Sequence, residues 1–279
     1  MKNLEKRYDF DAEILTYYGS GFEEGRLLGG AQGRLEYLRT MELLSRFLPP
    51  APATVLDVGG GAGAYALPLA RDDYSVHLID PIPLHVEQAK AGSLGQPEAP
   101  LAGTEVGDAR SLSQMDASAD AVLLLGPLYH LTAREDRLQA LREARRVVRP
   151  GGVVLAAAIS RFASTIDGLF NDFLADEEFE AIVQRDLREG QHRNPGERPG
   201  WFTTAYFHRP AGLREEAEVA GLLVDGMFGI EGPAWTMPDL GAWLENPVRR
   251  AKLFSALRRT ETEPDLLGAS AHLLLVGRA

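Results

Sequence analysis

The sequence predicts an α/β protein, a mostly parallel sheet with helices on both faces. Apolar runs of strand length alternate with segments of helical period, and that alternation requires right-handed crossovers between parallel strands. The run Val55-Leu56-Asp57-Val58-Gly59-Gly60-Gly61-Ala62-Gly63 carries a buried strand into a glycine loop and then a helix. Such a loop lets the backbone approach a nucleotide-type ligand closely at the carboxyl edge of a sheet. The chain has 279 residues, 45% of them hydrophobic, enough for one elaborated domain or a domain plus a cap.

Leu35, Leu38, Met41, Leu44 and Leu48 recur at helical spacing, and Pro49, Pro50 and Pro52 stop that helix before a first strand over residues 54–58. A helix beginning near Ala64 would hold Pro68 in its first turn, where amides lack intrahelical partners. The second strand is Ser75-Val76-His77-Leu78-Ile79-Asp80, and the glycine- and proline-rich residues 91–102 read as a loop before a short third strand. Residues 120–125 form the fourth strand. Thr132 and Glu135 make a capping-box pattern for a helix through Val148, whose inward face is Leu138, Leu141, Ala144 and Val148. Arg142, Arg145, Arg146 and Arg149 gather toward its end, where the helix dipole favours cations, and need no other role. Residues 153–159 give the fifth strand, and 222–230 and 271–277 the last two.

Between the fifth and sixth strands lie roughly 50 residues more than a short crossover needs. Ile166, Leu169, Phe170, Phe173, Leu174, Phe179, Ile182, Val183 and Leu187 suggest helices with an apolar face. A polar loop over residues 188–199 follows, then Trp201-Phe202-Thr203-Thr204-Ala205-Tyr206-Phe207-His208. This segment is expected to cap the carboxyl edge of the sheet. Its aromatics either line a substrate pocket or pack the cap onto the core.

The glycine loop leaves the cofactor open. Asp57 would repel a pyrophosphate and suits a ligand carrying an amino group, a sulfonium and ribose hydroxyls. Yet Gly59, Gly61 and Ala64, with Asp80 about 20 residues on, also meet the dinucleotide fingerprint. The wider chain resembles the class I S-adenosylmethionine-dependent methyltransferases. Asp57, Gly59, Gly61 and Gly63 match Asp-x-Gly-x-Gly-x-Gly, and Asp80 ends the second strand. Gly107-Asp108-Ala109 supplies an acidic loop after the third strand, and Arg149-Pro150-Gly151-Gly152 the turn before the fifth. The four signals follow the family's order across residues 54–158.

The resemblance implies a Rossmann-like, seven-stranded, mostly parallel sheet closed by an antiparallel pair. The expected organisation is an N-terminal helical lid segment (1–48), a cofactor-binding core (49–160), a cap insertion (161–212) and a C-terminal completion of the sheet (213–279). It also implies S-adenosylmethionine as donor and S-adenosylhomocysteine as product. Asp80, with Pro81 beside it, would take the ribose hydroxyls, and Asp108 and Ala109 would lie at the adenine. Asp57 would sit near the methionine amine or anchor the glycine loop.

The methionine carboxylate needs a cation or amide donors, and Arg34 is favoured over Arg26 and Arg39. Residues 17–26, with Tyr18 and three glycines, have the composition of a lid over the sulfonium, or of an ordinary surface loop. Methyl transfer is an in-line displacement, so positioning and exclusion of water dominate, with a general base near neutral pKa where the acceptor must lose a proton. His130 and Tyr129, directly after the fourth strand, and His208, in the cap, are the catalytic candidates, with turn-stabilising roles as the alternative. His192, also in the cap, is a further candidate, and His77, His85 and His272 read as structural. No histidine pair has metal-ligand spacing, and no metal is expected.

Composition narrows the remainder. With no cysteine there is no disulfide framework and no thiolate metal site. A formal charge of −11 disfavours nucleic-acid backbones, and the basic stretch Arg249, Arg250, Lys252, Arg258 and Arg259 reads as the solvated face of an amphipathic helix with Val248, Ala251, Phe254 and Leu257 beneath. The acidic start lacks a secretory apolar region and no run reaches spanning length, so a cytoplasmic enzyme with no membrane partner is expected. The expected function is methyl transfer to oxygen, nitrogen or carbon of a small organic acceptor, with a homo-oligomer left open. A macromolecular acceptor, a non-catalytic binder of the donor and a nicotinamide oxidoreductase are the alternatives.

Overall fold

A computed structural model of the protein describes residues 27, 29–196, 198 and 200–279. Helix α1 (Ala31–Phe47) leads to β1 (Thr54–Val58), α2 (Ala66–Arg71), β2 (Ser75–Asp80), α3 (Pro83–Leu94), β3 (Gly103–Val106) and β4 (Ala119–Leu124). The short α4 (Pro127–His130) and the long α5 (Arg134–Val147) then deliver β5 (Val148–Ile159).

The seven strands stand in the order β3-β2-β1-β4-β5-β9-β8, where β8 is Leu223–Gly229 and β9 is His272–Arg278. Strands β1 to β5 are mutually parallel, and β9 runs antiparallel to both neighbours. β2 and β4 flank β1, so the strand order reverses there and opens a crevice at the carboxyl ends of β1 and β4. Val55, Leu78 and Leu123 bury one face with Leu43 and Leu44 of α1. Leu56, Val58 and Val122 bury the other against Leu141 and Ala144 of α5. Side chains alternate across a strand, so Asp57 falls on the α1 side.

Several expected boundaries move. Helix α2 starts two residues after Ala64, and Pro68 still falls in its first turn. Helix α3 continues to Leu94, into the stretch expected as loop, because Gly92 fits against Leu67, where a Cβ would meet the Leu67 side chain at 2.6 Å. The expected capping box does not form. Ala133 is the N-cap of α5, and the Thr132 carbonyl accepts from Arg137 Nη1 at 2.9 Å and Gln191 Nε2 at 3.0 Å. The arginines near its end do more than face a dipole. Arg145 Nε donates to the Gly221 carbonyl, Arg146 Nη1 pairs with Asp116 at 2.7 Å, and Arg149 pairs with Asp120 at 2.5 Å. In the basic helix α10 (Pro247–Thr260), numbered after α6 to α9 below, Leu253 and Leu257 are buried while Val248 is exposed, so the apolar stripe is rotated from its expected position.

After β5 come α6 (Ala163–Phe170), a 3-10 turn (Phe173–Ala175), α7 (Glu177–Glu189), and the short antiparallel pair β6 (Gln191–His192) and β7 (Ala205–Tyr206). Helix α8 (Pro210–Val219) returns the chain to β8, and α9 (Leu240–Glu245), α10 and α11 (Pro264–Leu267) precede β9. Trp201 packs on Phe179 and Phe173, with ring centroids 5.0 and 6.4 Å away. The Arg137 guanidinium lies 3.6 Å from the Tyr206 ring centroid. These two aromatics therefore pack the insertion together and onto α5. Buried Asp186 Oδ2 accepts from Ser164 Oγ at 2.7 Å and faces His192 Nδ1 at 2.8 Å. Ser164, Asp186 and His192 have the composition of a hydrolytic triad without its order, since serine and imidazole converge on one carboxylate oxygen. The cluster ties α6, α7 and β6 to one another.

Candidate active site

A cavity of about 560 Å³ opens at the carboxyl ends of β1, β2 and β4. The glycine loop forms its floor. Gly59 holds φ of +73°, and a Cβ there would lie 2.7 Å from the Pro127 ring, so both conformation and space demand glycine. Its amide donates to the Ile79 carbonyl at 2.7 Å, fastening the loop to β2.

Asp57 lies buried beneath this loop and lines the cavity. Neither carboxylate oxygen has a hydrogen-bond partner. Burial, reinforced by the nearby Asp80 charge, pushes its pKa up from 3.8 to about 7, although the Ala66 amide faces it and pulls the other way without reaching hydrogen-bond geometry. At β2's end Asp80 accepts from Gly61 N at 2.9 Å through Oδ2 and from Ile82 N at 2.9 Å through Oδ1. His85 Nδ1 lies 3.0 Å from Oδ1, with the imidazole proton assigned to that nitrogen. Two carboxylate oxygens offer about four acceptor positions, so three are engaged and Asp80 is rigidly aimed. Asp108 also lines the cavity, its carboxylate gripped by Arg110 at 2.7 Å. Opposite, Tyr129 donates its hydroxyl to the Leu125 carbonyl at 3.2 Å, and the His130 ring stacks on Phe202 with centroids 5.9 Å apart.

Of the residues expected from sequence, the structure gathers Asp57, Gly59, Gly61, Gly63, Asp80, Pro81, Asp108, Ala109, Tyr129 and His130 around this cavity. His208 is elsewhere. It is buried under α8, 3.2 Å from Glu216 Oε2, in a network with Arg137, so it joins the insertion to the core rather than facing the cavity. Burial outweighs the Glu216 contact and lowers its pKa. Arg34 sits on α1 and is not among the lining residues, whereas Arg71 is. Tyr18 and the rest of 17–26 lie outside the described residues. Sequence reasoning missed His85, expected as structural, and Tyr37 and Tyr65, which stack at 5.7 Å beside the glycine loop. His85 was findable in principle, in the first turn of the helix that follows the acidic strand end.

Comparison with known proteins accords with this geometry. Residues 55–152 match the family described as a methyltransferase domain. The 2-methyl-6-phytyl-1,4-hydroquinone methyltransferase of Synechocystis is 31% identical over 198 residues, 71% of this chain and 54% of that protein. A ubiquinone biosynthesis O-methyltransferase from Xanthomonas axonopodis is 30% identical over 200 residues, 66% of this chain and 72% of that protein. The chain belongs to the class I S-adenosylmethionine-dependent methyltransferases.

A solved S-adenosylmethionine-dependent methyltransferase from Methanosarcina mazei shares the fold of these methyltransferases with this chain, with TM-score 0.57 and 18% identity over 85% of this chain and 96% of that one. The chain spans about half the length of several of the curated relatives it matches, 40% to 54% of them. The family's cofactor fits the cavity on chemical grounds. An ammonium group would satisfy the orphaned Asp57 carboxylate, and the glycine loop leaves backbone exposed for close approach. Among the described residues no helix is long and apolar enough to cross a membrane.

Proposed function

We propose that the protein transfers a methyl group from S-adenosylmethionine to a small organic acceptor. The observation that carries this reading is the buried, unpartnered Asp57 carboxylate facing a cavity walled by Asp80 and Asp108. A carboxylate held without a counter-ion suits a ligand that brings its own cation, and it opposes a pyrophosphate. The bound donor supplies an electrophilic methyl on a sulfonium.

The chain's own residues bind and orient. Asp80, fixed by Gly61, Ile82 and His85, presents its remaining acceptor capacity to ribose hydroxyls. Asp108 and Ala109 flank the adenine end. Tyr129 and His130 close the far side, where Phe202 holds the imidazole in place. As a general base, His130 fits an acceptor that must lose a proton. Residues 161–212 we assign as the cap over the acceptor. The printed activities of the relatives, on a hydroquinone and in ubiquinone biosynthesis, favour a small molecule over a macromolecule. A cysteine-free chain is at home in the reducing cytoplasm, where we place it.

The test is calorimetric titration with S-adenosylmethionine, S-adenosylhomocysteine and nicotinamide dinucleotides, on wild type and Asp80→Ala. The reading expects binding of the sulfonium pair, weakened in the variant. Binding of a dinucleotide alone overturns it.

A further inference from the structure

Asp57 carries a charge that the fold leaves unanswered. The residue is 1% exposed, neither carboxylate oxygen has a hydrogen-bond partner, and it lines the cavity. A Cβ at Gly60 would lie 2.7 Å from Asp57 Oδ2, which places that oxygen directly against the backbone of the glycine loop.

The titratable groups around it come from every neighbouring element. Asp80, at the end of β2, bears on it with a charge of like sign. His85 of α3 is held on Asp80 at 3.0 Å. Glu36 and Tyr37 of α1 line the cavity, and Tyr65 stacks on Tyr37 beside the glycine loop. On the β4 side its register partner is apolar Leu123. Arg71, the one arginine or lysine among the described lining residues, is exposed at the end of α2 and donates from Nη1 to Gln96 Oε1 at 2.8 Å. Asp108, Tyr129 and His130 complete the titratable lining. Among the described residues no cation pairs with Asp57.

We infer that the donor site exchanges a proton on Asp57 for the ligand's ammonium, so that Asp57 selects ligands carrying that amine and their binding releases a proton. The inference rests on the methyltransferase reading of this cavity. In the empty site a buried carboxyl beside Asp80 is better neutral than charged, and it keeps its proton up to about pH 7. An arriving ammonium reverses that balance, because the ion pair favours the charged form. The carboxylic O–H bond breaks, its proton passes to solvent, and the ligand nitrogen donates to the carboxylate left behind. One positive charge replaces another, so the field at Asp80 is the same before and after. A ligand without the amine offers nothing in exchange, and Asp57 keeps its proton beneath it.

Calorimetry with S-adenosylhomocysteine between pH 5 and pH 8, in buffers of differing ionisation enthalpy, tests the exchange. Between pH 5 and pH 7 the ligand's amine stays protonated and its carboxyl ionised, so the ligand contributes no slope of its own. Affinity should rise about fiftyfold across that interval. At pH 6 wild type should release about one proton more per ligand than Asp57→Asn, whose affinity should change little with pH. His85→Asn should keep the rise, which separates Asp57 from the imidazole on Asp80. 5′-(3-Aminopropylthio)-5′-deoxyadenosine, which keeps the amine and lacks the carboxylate, should show the rise, and 5′-methylthioadenosine, which lacks both, should not. A flat affinity for S-adenosylhomocysteine, equal proton release in wild type and Asp57→Asn, a rise lost in His85→Asn, or an equal rise with 5′-methylthioadenosine each overturns the exchange. Should Asp57→Asn fail to fold or bind too weakly to titrate, the ligand series on wild type decides alone. Wild type that binds S-adenosylhomocysteine at no pH instead defeats the cofactor reading itself.

Discussion

Replacing Asp57 with asparagine keeps the side chain's shape and removes the charge that the fold disfavours. The folded-state pKa rises from 3.8 to about 7, roughly three units at 1.36 kcal/mol each, so holding this carboxyl ionised in the ligand-free protein costs about 4 kcal/mol. Because the folded value is the higher one, the group's contribution to stability is full below pH 4 and is lost as pH rises through 7. Asparagine leaves a buried amide without partners, which offsets about 1–2 kcal/mol of the gain. In urea unfolding of ligand-free protein, Asp57→Asn should therefore exceed wild type by about 2 kcal/mol at pH 8, and its advantage should shrink by about 3 kcal/mol on going to pH 5, changing sign. The same variant should bind S-adenosylhomocysteine more weakly, because the ligand's ammonium loses its counter-charge. A stability difference that does not vary between pH 5 and pH 8 would refute the reasoning.

Gly59→Ala forces a non-glycine residue into positive φ and drives a Cβ against Pro127. It should lower stability by about 1–3 kcal/mol and abolish measurable donor binding, read by thermal melts and calorimetry. His85→Asn removes one of three donors that aim Asp80, and S-adenosylhomocysteine affinity should fall about tenfold with the melting temperature nearly unchanged. Glu216 responds in the opposite sense to Asp57. Burial would raise its pKa, but hydrogen bonds from His208 and Arg137 hold it down to about 2, so its stabilisation is present above pH 4.5 and lost as pH falls toward 2. Glu216→Gln should cost about 3 kcal/mol at pH 7 in chemical denaturation and leave donor affinity intact, as should His208→Ala with a smaller loss. Donor binding that collapses in either variant would return His208 to the site.

The lining of the first cavity was legible because its determinants are local. Asp57, Gly59, Gly61 and Gly63 fall within seven residues, and Asp80 and Asp108 each end or follow a strand whose register the parallel sheet fixes. A strand end is a known place in such a fold, so an acidic residue there has a known neighbour. Arg34 does not line that cavity, for the complementary reason. Its helix was readable, but which side chains of α1 turn toward the loop depends on rotation about the helix axis, and Glu36 and Tyr37 take that position. Thr132 failed as a cap because a one-residue shift in the start of α5 decides which side chain meets the free amides.

One cluster at this edge, Glu36, Glu231 and His272, was illegible for a deeper reason. His272 was set aside as a strand residue, yet β9 is the strand that runs against all its neighbours, and reversal puts a strand's first residue where every other strand puts its last. Its partners Glu36 and Glu231 stand 236 and 41 positions away in sequence. No spacing rule links them. What joins them is sheet order: β9 inserts between β5 and β8, so the end of β8, the start of β9 and the helix packed on that face converge. A search for chemistry in this fold is therefore best run by strand polarity, taking carboxyl ends of the parallel strands together with amino ends of the antiparallel one. Run that way on the sequence, with 271–277 already read as half of an antiparallel pair, it would have placed His272 at the edge shared with Asp57 and Asp80.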